Sequence, residues 1–161
     1  MRIGVFSDTH DNLIMIEKAL RVFEKEAIDV ALHLGDFVAP FALRRIVGGL
    51  KVPLYGVFGN NDGERILLKG IMGDRLRDGP FVLQFGNHKV LLLHELDEAF
   101  KEVLFSSGLR AVFFGHTHQV FLEKRNGILF FNPGECCGYL TGKGTVGICD
   151  LEKLEAFVIE L

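Results

Sequence analysis

Five apolar runs in this chain each end in a small turn and then in a residue with affinity for metal ions. Ile3-Gly4-Val5-Phe6-Ser7 leads into Asp8-Thr9-His10, and the run 30–35 leads into Asp36. The run 54–59 leads into Asn60, 90–93 into His94, and 111–115 into His116-Thr117-His118. The groups on offer are carboxylate and amide oxygens together with imidazole nitrogens. Imidazole biases such a set toward transition metals over calcium or magnesium. Seven groups (Asp8, His10, Asp36, Asn60, His94, His116 and His118) exceed what one ion needs. They suffice for two ions that share a carboxylate, the arrangement used in two-metal hydrolysis.

Short apolar runs bounded by turn residues read as buried strands, and ligands in open α/β sheets lie just beyond the carboxyl ends of strands. The runs are joined by segments with helical signals. Asn12 is placed to cap a helix whose Leu13, Ile16, Leu20 and Phe23 follow helical spacing. A second strand is expected over 29–34, then a short helix over 40–47 with Pro40 in its first turn and Gly48-Gly49 as its stop. A third strand follows Pro53, which implies a parallel βαβαβ start with right-handed crossovers. The stretch 63–79 reads as a loop that walls the site. Two strands flank a tight turn at Gly86-Asn87, and a helix is expected over 97–105 with Asp97 near its start. The remaining strands fall at 111–114, 120–124, 128–131, 145–150 and 156–161, with hairpin turns at Asn126-Gly127 and Glu152-Lys153.

The blocks Asp8-x-His10, Gly35-Asp36, Gly59-Asn60-Asn61-Asp62, His94 and Gly115-His116-x-His118 occur in that order. They resemble the calcineurin-like metallophosphoesterase superfamily. The chain length and Asn132-Pro133-Gly134 resemble its small single-domain phosphodiesterase branch. The resemblance covers essentially the whole chain, so one domain over 1–161 is expected. It implies an α/β four-layer αββα sandwich, two mixed β-sheets flanked by helices. It further implies that Asp8, His10, Asp36 and His118 hold one divalent transition-metal ion. Asp36, Asn60, His94 and His116 would hold the second, with Asp36 bridging. Manganese is the leading expectation, and nickel, zinc, iron or cobalt also suit the donors. Taken singly, Asp8 could cap the next helix, Asp36 could start a turn, Asn60 could tolerate a left-handed backbone, and His94 could be a core histidine. The five joint occurrences favour metal. His33, inside a strand, reads as a packing or hydrogen-bonding residue, with support of Asp36 as the alternative, and His88 reads as solvated.

The activity implied is phosphodiester hydrolysis, with a metal-bridging hydroxide as nucleophile and the ions stabilising charge on the phosphoryl oxygens. Two departures matter. Many relatives carry histidine where this chain has Asn61, which donates a hydrogen bond but gives up no proton. That predicts a preference for diesters and activated aryl esters over alkyl monoesters. Glu95 and Glu135 stand where relatives often carry glycine and serine. They either point to solvent, the usual fate of glutamate, or add negative charge beside the substrate. Asp62 is expected to orient a ligand or a loop amide. Gly35, Gly59 and Gly115 precede ligands, where the backbone turns sharply.

Hydrophobic content of 48% with 24% charged residues is that of a globular protein. A net charge of −3 gives no strong nucleic-acid signal, and no apolar stretch approaches a membrane span. No signal peptide is evident, so a cytoplasmic protein acting on a small-molecule phosphate ester is expected. Cys136, Cys137 and Cys149 suit reduced thiols better than a strained vicinal disulfide or a zinc site. A homodimer or homotetramer through edge strands is an open expectation. One rival is a non-catalytic metal-binding interaction scaffold, as in the related retromer subunit. A nuclease of the same superfamily and a structural zinc domain are weaker rivals, for want of basic balance and because seven ligands are too many.

Overall fold

A computed structural model describes residues 1–161. The chain starts as strand–helix–strand: β1 (Arg2–Phe6), α1 (Leu13–Lys25), β2 (Val30–His33), α2 (Pro40–Gly49) and β3 (Leu54–Val57). It continues through α3 (Arg65–Met72), a 3-10 turn (Gly73–Arg75) and β4 (Leu76–Arg77). The second half holds β5 (Phe81–Phe85), β6 (His88–Leu92), α4 (Glu98–Leu104), β7 (Ala111–Phe113), β8 (Val120–Arg125), β9 (Ile128–Pro133), β10 (Thr145–Asp150) and β11 (Glu155–Glu160). The strands form two mixed sheets, ordered β11-β10-β1-β2-β3-β4 and β5-β6-β7-β9-β8. β1 to β4 run parallel, and so do β6, β7 and β9, which brings their carboxyl ends to one edge of each sheet. No helix is long and apolar enough to cross a membrane.

Three apolar interfaces hold four layers together. Phe23, Ile16, Leu43, Ile46 and Leu68 of the first three helices pack on Phe6, Ala31 and Ile148 of the first sheet. Between the sheets, Ile3, Val5, Leu32 and Val57 meet Val90, Leu92, Phe113 and Phe131. On the far side, Leu104 and Phe105 cover Leu91, Val112 and Phe130. The alternation of strand side chains makes this possible: Val5 faces the second sheet while its neighbour Phe6 faces the helices. The expected four-layer α/β sandwich is therefore the observed one.

Helix caps form where local signals place them. Asn12 accepts from Met15 N at the start of α1, and Asp97 accepts from the Ala99 and Phe100 amides at the start of α4. Two expectations are corrected. α2 extends two residues past the expected 47 and stops at Gly49, with Leu50 as its cap. A Cβ at Gly49 would meet Leu20 Cδ1, so this last residue of the helix also serves the close approach of α1 and α2. The stretch 63–79 is also no loop. Leu68 and Met72, one turn apart, bury into the first core, and Leu76 and Arg77 extend the parallel sheet beside β3. His88 lies within β6 and meets Glu152 at 2.9 Å, so it is paired across the two sheets and only partly solvated.

Candidate metal centre

The loops that follow β1, β2, β3, β6 and β7 converge on one edge of the sandwich. Asp8, His10, Asp36, His116 and His118 all adopt a left-handed backbone, with φ between 38° and 69°. Such conformations cost on the order of 1–3 kcal/mol each and cluster at functional sites. The two sheets are stitched together here. His116 N donates to Asp8 Oδ2 at 3.2 Å, and the Cys136 and Cys137 amides donate to the Ser7 and Asp8 carbonyls. A Cβ at Gly115 would collide with Ser7 Oγ, and one at Gly59 with the Asp36 carboxylate. Glycine is thus demanded at both positions by close approach.

The donor atoms fall into two clusters sharing Asp36. In the first, His118 Nε2 lies 3.5 Å from Asp8 Oδ1 and His10 Nε2 lies 3.5 Å from Asp36 Oδ2. In the second, Asn60 Oδ1 lies 2.8 Å from His94 Nε2 and 3.0 Å from His116 Nδ1, with Asp36 Oδ2 3.6 Å from His94 Nε2. All seven candidate ligands are brought together. Asp8, His10 and His118 form one group able to hold an ion, and Asp8, Asp36 and His94 another.

The tautomers show that these residues suit a cation. His94 Nδ1 lies 2.7 Å from the Leu34 carbonyl, which only accepts, so Nδ1 carries the proton. Nε2 of the neutral ring then presents a lone pair to Asn60 Oδ1, another acceptor. His118 Nδ1 is likewise committed to the Glu135 carboxylate at 2.7 Å, which turns its Nε2 lone pair on Asp8. Asp8 Oδ1 and His10 Nε2 are buried with no hydrogen-bond partner. Lone pairs facing lone pairs, together with orphaned buried polar atoms, are resolved by positive charge between them. Burial pushes the Asp8 carboxyl above its ordinary value.

Several supporting residues surround the ligands. Asp62 Oδ2 accepts from Gly59 N (2.7 Å) and Asp36 N (3.1 Å), while Oδ1 accepts from Val38 N (2.8 Å). It cross-links the loops carrying Asp36 and Asn60, and burial raises its pKa. Asn61 donates through its backbone and side chain to the two Asp36 oxygens, at 2.8 Å each. His33 is a hydrogen-bonding core residue: Nδ1 accepts from Gly35 N, so Nε2–H donates to Thr9 Oγ1, which donates on to the Asp36 carbonyl. Desolvation holds its pKa well below the usual histidine value. Thr9 and His33 therefore brace the Asp8–Asp36 edge; the link from His33 to Asp36 is the alternative reading of that residue, while no motif signals Thr9.

Glu135 departs most from expectation. It does not point to solvent: it is 1% exposed and receives the His118 imidazole, the Leu140 and Thr141 amides, the Thr141 hydroxyl and the Cys137 thiol. Burial alone would raise its pKa; the hydrogen bonds from His118, Thr141 and Leu140 outweigh it and hold the carboxyl down to about 2. Asn132 donates to the Gly115 carbonyl and Thr117 Oγ1, fixing the loop that carries His116 and His118. Glu95 is exposed, and its carboxylate lies 3.7 Å from His116 Nε2. The three cysteines are free and buried.

The fold is that of a known class. The model of the calcineurin-like phosphoesterase superfamily domain matches residues 1–154, and the chain belongs to that superfamily. Phosphodiesterase MJ0936 of Methanocaldococcus jannaschii is 39% identical over 160 residues, 96% of each chain. A solved archaeal phosphodiesterase, also 39% identical, covers 100% of both chains with a TM-score of 0.91. The Escherichia coli phosphoesterase YfcE shares the fold at a TM-score of 0.71 and 18% identity, over 100% of this chain and 98% of that one. So does vacuolar protein sorting 29 of Cryptosporidium parvum, at 0.68 and 16% over 99% and 96%.

Proposed function

We infer that the protein is a metal-dependent phosphodiesterase that hydrolyses small-molecule phosphate diesters at a dinuclear centre. Asp8, His10, Asp36 and His118 would hold one ion, and Asp36, Asn60, His94 and His116 the other. The observation that carries the reading is the convergence of seven donor groups whose lone pairs face one another, two of them buried and unpartnered. The 39% identity to a phosphodiesterase over 96% of the chain supports the diester class. Bound divalent ions supply an activated water near neutral pH and positive charge for the phosphoryl oxygens. Manganese leads among the metals because the donors mix oxygen and imidazole, with nickel, zinc, iron and cobalt also suited.

The chain's own residues do the rest. Asp36, held by two hydrogen bonds from Asn61, faces both clusters and sets their separation. Asp62 keeps the Asp36 and Asn60 loops in register. Asn61 has no proton to give a leaving alkoxide, and loss of such an acid costs about 10²–10⁴-fold for poor leaving groups. Diesters and aryl esters are therefore preferred to alkyl monoesters. Asn61→His is expected to raise monoester turnover; an unchanged monoester rate in folded, metal-loaded protein refutes this role.

The test is turnover of an aryl phosphodiester beside the matching monoester by apo-protein given manganese, nickel, zinc or magnesium, with Asp36→Asn as control. Metal-dependent diester cleavage lost in the control is the expected result. Stoichiometric metal binding without turnover would favour a non-catalytic scaffold, a reading that Asn61 alone favours.

A further inference from the structure

We propose that Glu135 is a positioning residue that fixes the tautomer of His118 and thereby makes the Asp8–His10–Asp36–His118 cluster the tighter of the two cation sites. The affinity half of this rests on the two-ion reading above.

The three histidines whose second nitrogen has a neighbour differ in what holds it. His94 Nδ1 meets the neutral Leu34 carbonyl. His116 Nε2 faces Glu95, 3.7 Å away and exposed to solvent that screens it. His118 Nδ1 alone meets a buried carboxylate, at 2.7 Å. A charged acceptor in a low-dielectric pocket stabilises the Nδ1–H tautomer and enriches the electron density at Nε2, the nitrogen aimed at Asp8 Oδ1.

Glu135 is not itself a ligand, although His118, Glu135 and Cys137 lie close enough to suggest a third site. Oε1 accepts from Leu140 N (3.0 Å), Thr141 N (2.5 Å) and Thr141 Oγ1 (2.7 Å). Oε2 accepts from His118 Nδ1, Cys137 Sγ (3.2 Å) and Leu140 N (3.2 Å). A carboxylate offers about four lone-pair sites, so these are saturated. The second cluster has no such backing, and its Asn60 is neutral and exposed. The first cluster is lined by two buried carboxylates, Asp8 and Asp36, with a third charge behind His118.

Glu135→Gln tests this sharply. Glutamine keeps one oxygen for the Leu140 and Thr141 amides and turns its NH₂ toward His118. Nδ1 must then accept, which moves the imidazole proton to Nε2, the ligating atom. In metal-free protein at mildly alkaline pH, long-range ¹H–¹⁵N correlation is expected to show His118 as Nδ1–H in the wild type and largely Nε2–H in Glu135→Gln. In calorimetric manganese titration the wild type is expected to bind in two steps. Glu135→Gln should weaken the tighter step by about 10–100-fold and leave the other nearly unchanged. Thr141→Ala, which loosens the loop but leaves the contact with His118, should leave both steps nearly unchanged.

The proposal is overturned if wild-type His118 is Nε2–H, or if Glu135→Gln leaves tautomer and affinity as they were. It is equally overturned if Thr141→Ala reproduces the affinity loss, since the effect would then run through the loop. Absence of any cation binding by the wild type would refute the two-ion reading and the affinity claim with it. The tautomer measurement, made without metal, decides the Glu135 contact on its own.

Discussion

The two sheets supply different chemistry to the same edge. Loops of the first sheet bring Asp8, Asp36 and Asn60, the oxygen donors, together with His10; loops of the second bring only histidines, His94, His116 and His118. Their bracing differs as well. The oxygen half is held from within: Asp62 ties the β2 and β3 loops, and the His33–Thr9 relay ties β2 to the β1 loop. Two of the histidines, His116 and His118, depend on residues later in the chain, Asn132 and Glu135 beyond or at the end of β9, for their loop and ring orientation. A half with internal cross-links keeps its geometry as one supersecondary unit. The histidine half is likewise cross-linked within its own sheet, from the loop after β7 to β9 and the residue pair just beyond it. The candidate centre exists where these halves meet, so inter-sheet packing and cation binding should be thermodynamically linked.

That contrast is open to attack at several points. Asp36 belongs to both clusters, and Asp36→Asn should lower diester turnover by at least about 10²–10³-fold, measured as kcat/KM at saturating manganese. Phe131, whose ring lies against Gly147 in the inter-sheet core, tests the linkage from outside the site. Phe131→Ala should cost about 3–5 kcal/mol by denaturant unfolding and weaken both cation steps together. Weakening of one step only would mean that the halves are set independently of sheet packing.

Asp62→Ala leaves the Gly59, Asp36 and Val38 amides without their acceptor and should cost about 1–3 kcal/mol. Its signature is confinement to the oxygen half: the His118 ring resonances should not move in NMR spectra of the metal-free protein. Wild-type thermal unfolding should shift upward with manganese, by roughly 2.7 kcal/mol at a hundredfold excess over Kd, and Asp36→Asn should lose most of that gain. The smallest effect is expected at Glu95, exposed and 3.7 Å from His116. Glu95→Gln should change neither stability by more than about 0.5 kcal/mol nor cation affinity more than about threefold, by calorimetry. A large change would mean that His116 is backed as firmly as His118.

Much of this molecule is written in local pattern. The five apolar runs ending in Asp, Asn or His mark strands and the donors beyond them, because a buried strand must be apolar and a polar donor set must lie past its end. Asn12, Asp97 and Asn126-Gly127 announce caps and a turn through contacts within a few residues. Where the pattern misled, a non-local partner outweighed it. Gly49 reads only as a helix stop, and it does end α2, but Leu20 of another helix against it adds a second, packing role. The stretch 63–79 reads as a loop until Leu68 and Met72 find the core, although its Arg65 and Asp78 do line one pocket with Asn60 and His94.

The sequence by itself therefore determined the donor types, their order and most of the strands and helices, because hydrophobic period and turn chemistry act over short separations; the layer architecture came through the family resemblance that those blocks carry. Only the tertiary structure decided which nitrogen of each histidine is free and whether a glutamate faces water or a ring. The proton of His94 is placed by a carbonyl 60 residues away, and that of His118 by a carboxylate 17 residues on. A tautomer is set by the partner of the other nitrogen, and that partner is chosen by tertiary packing, across the sheets for His94 and between neighbouring strands of one sheet for His118, which no local pattern encodes.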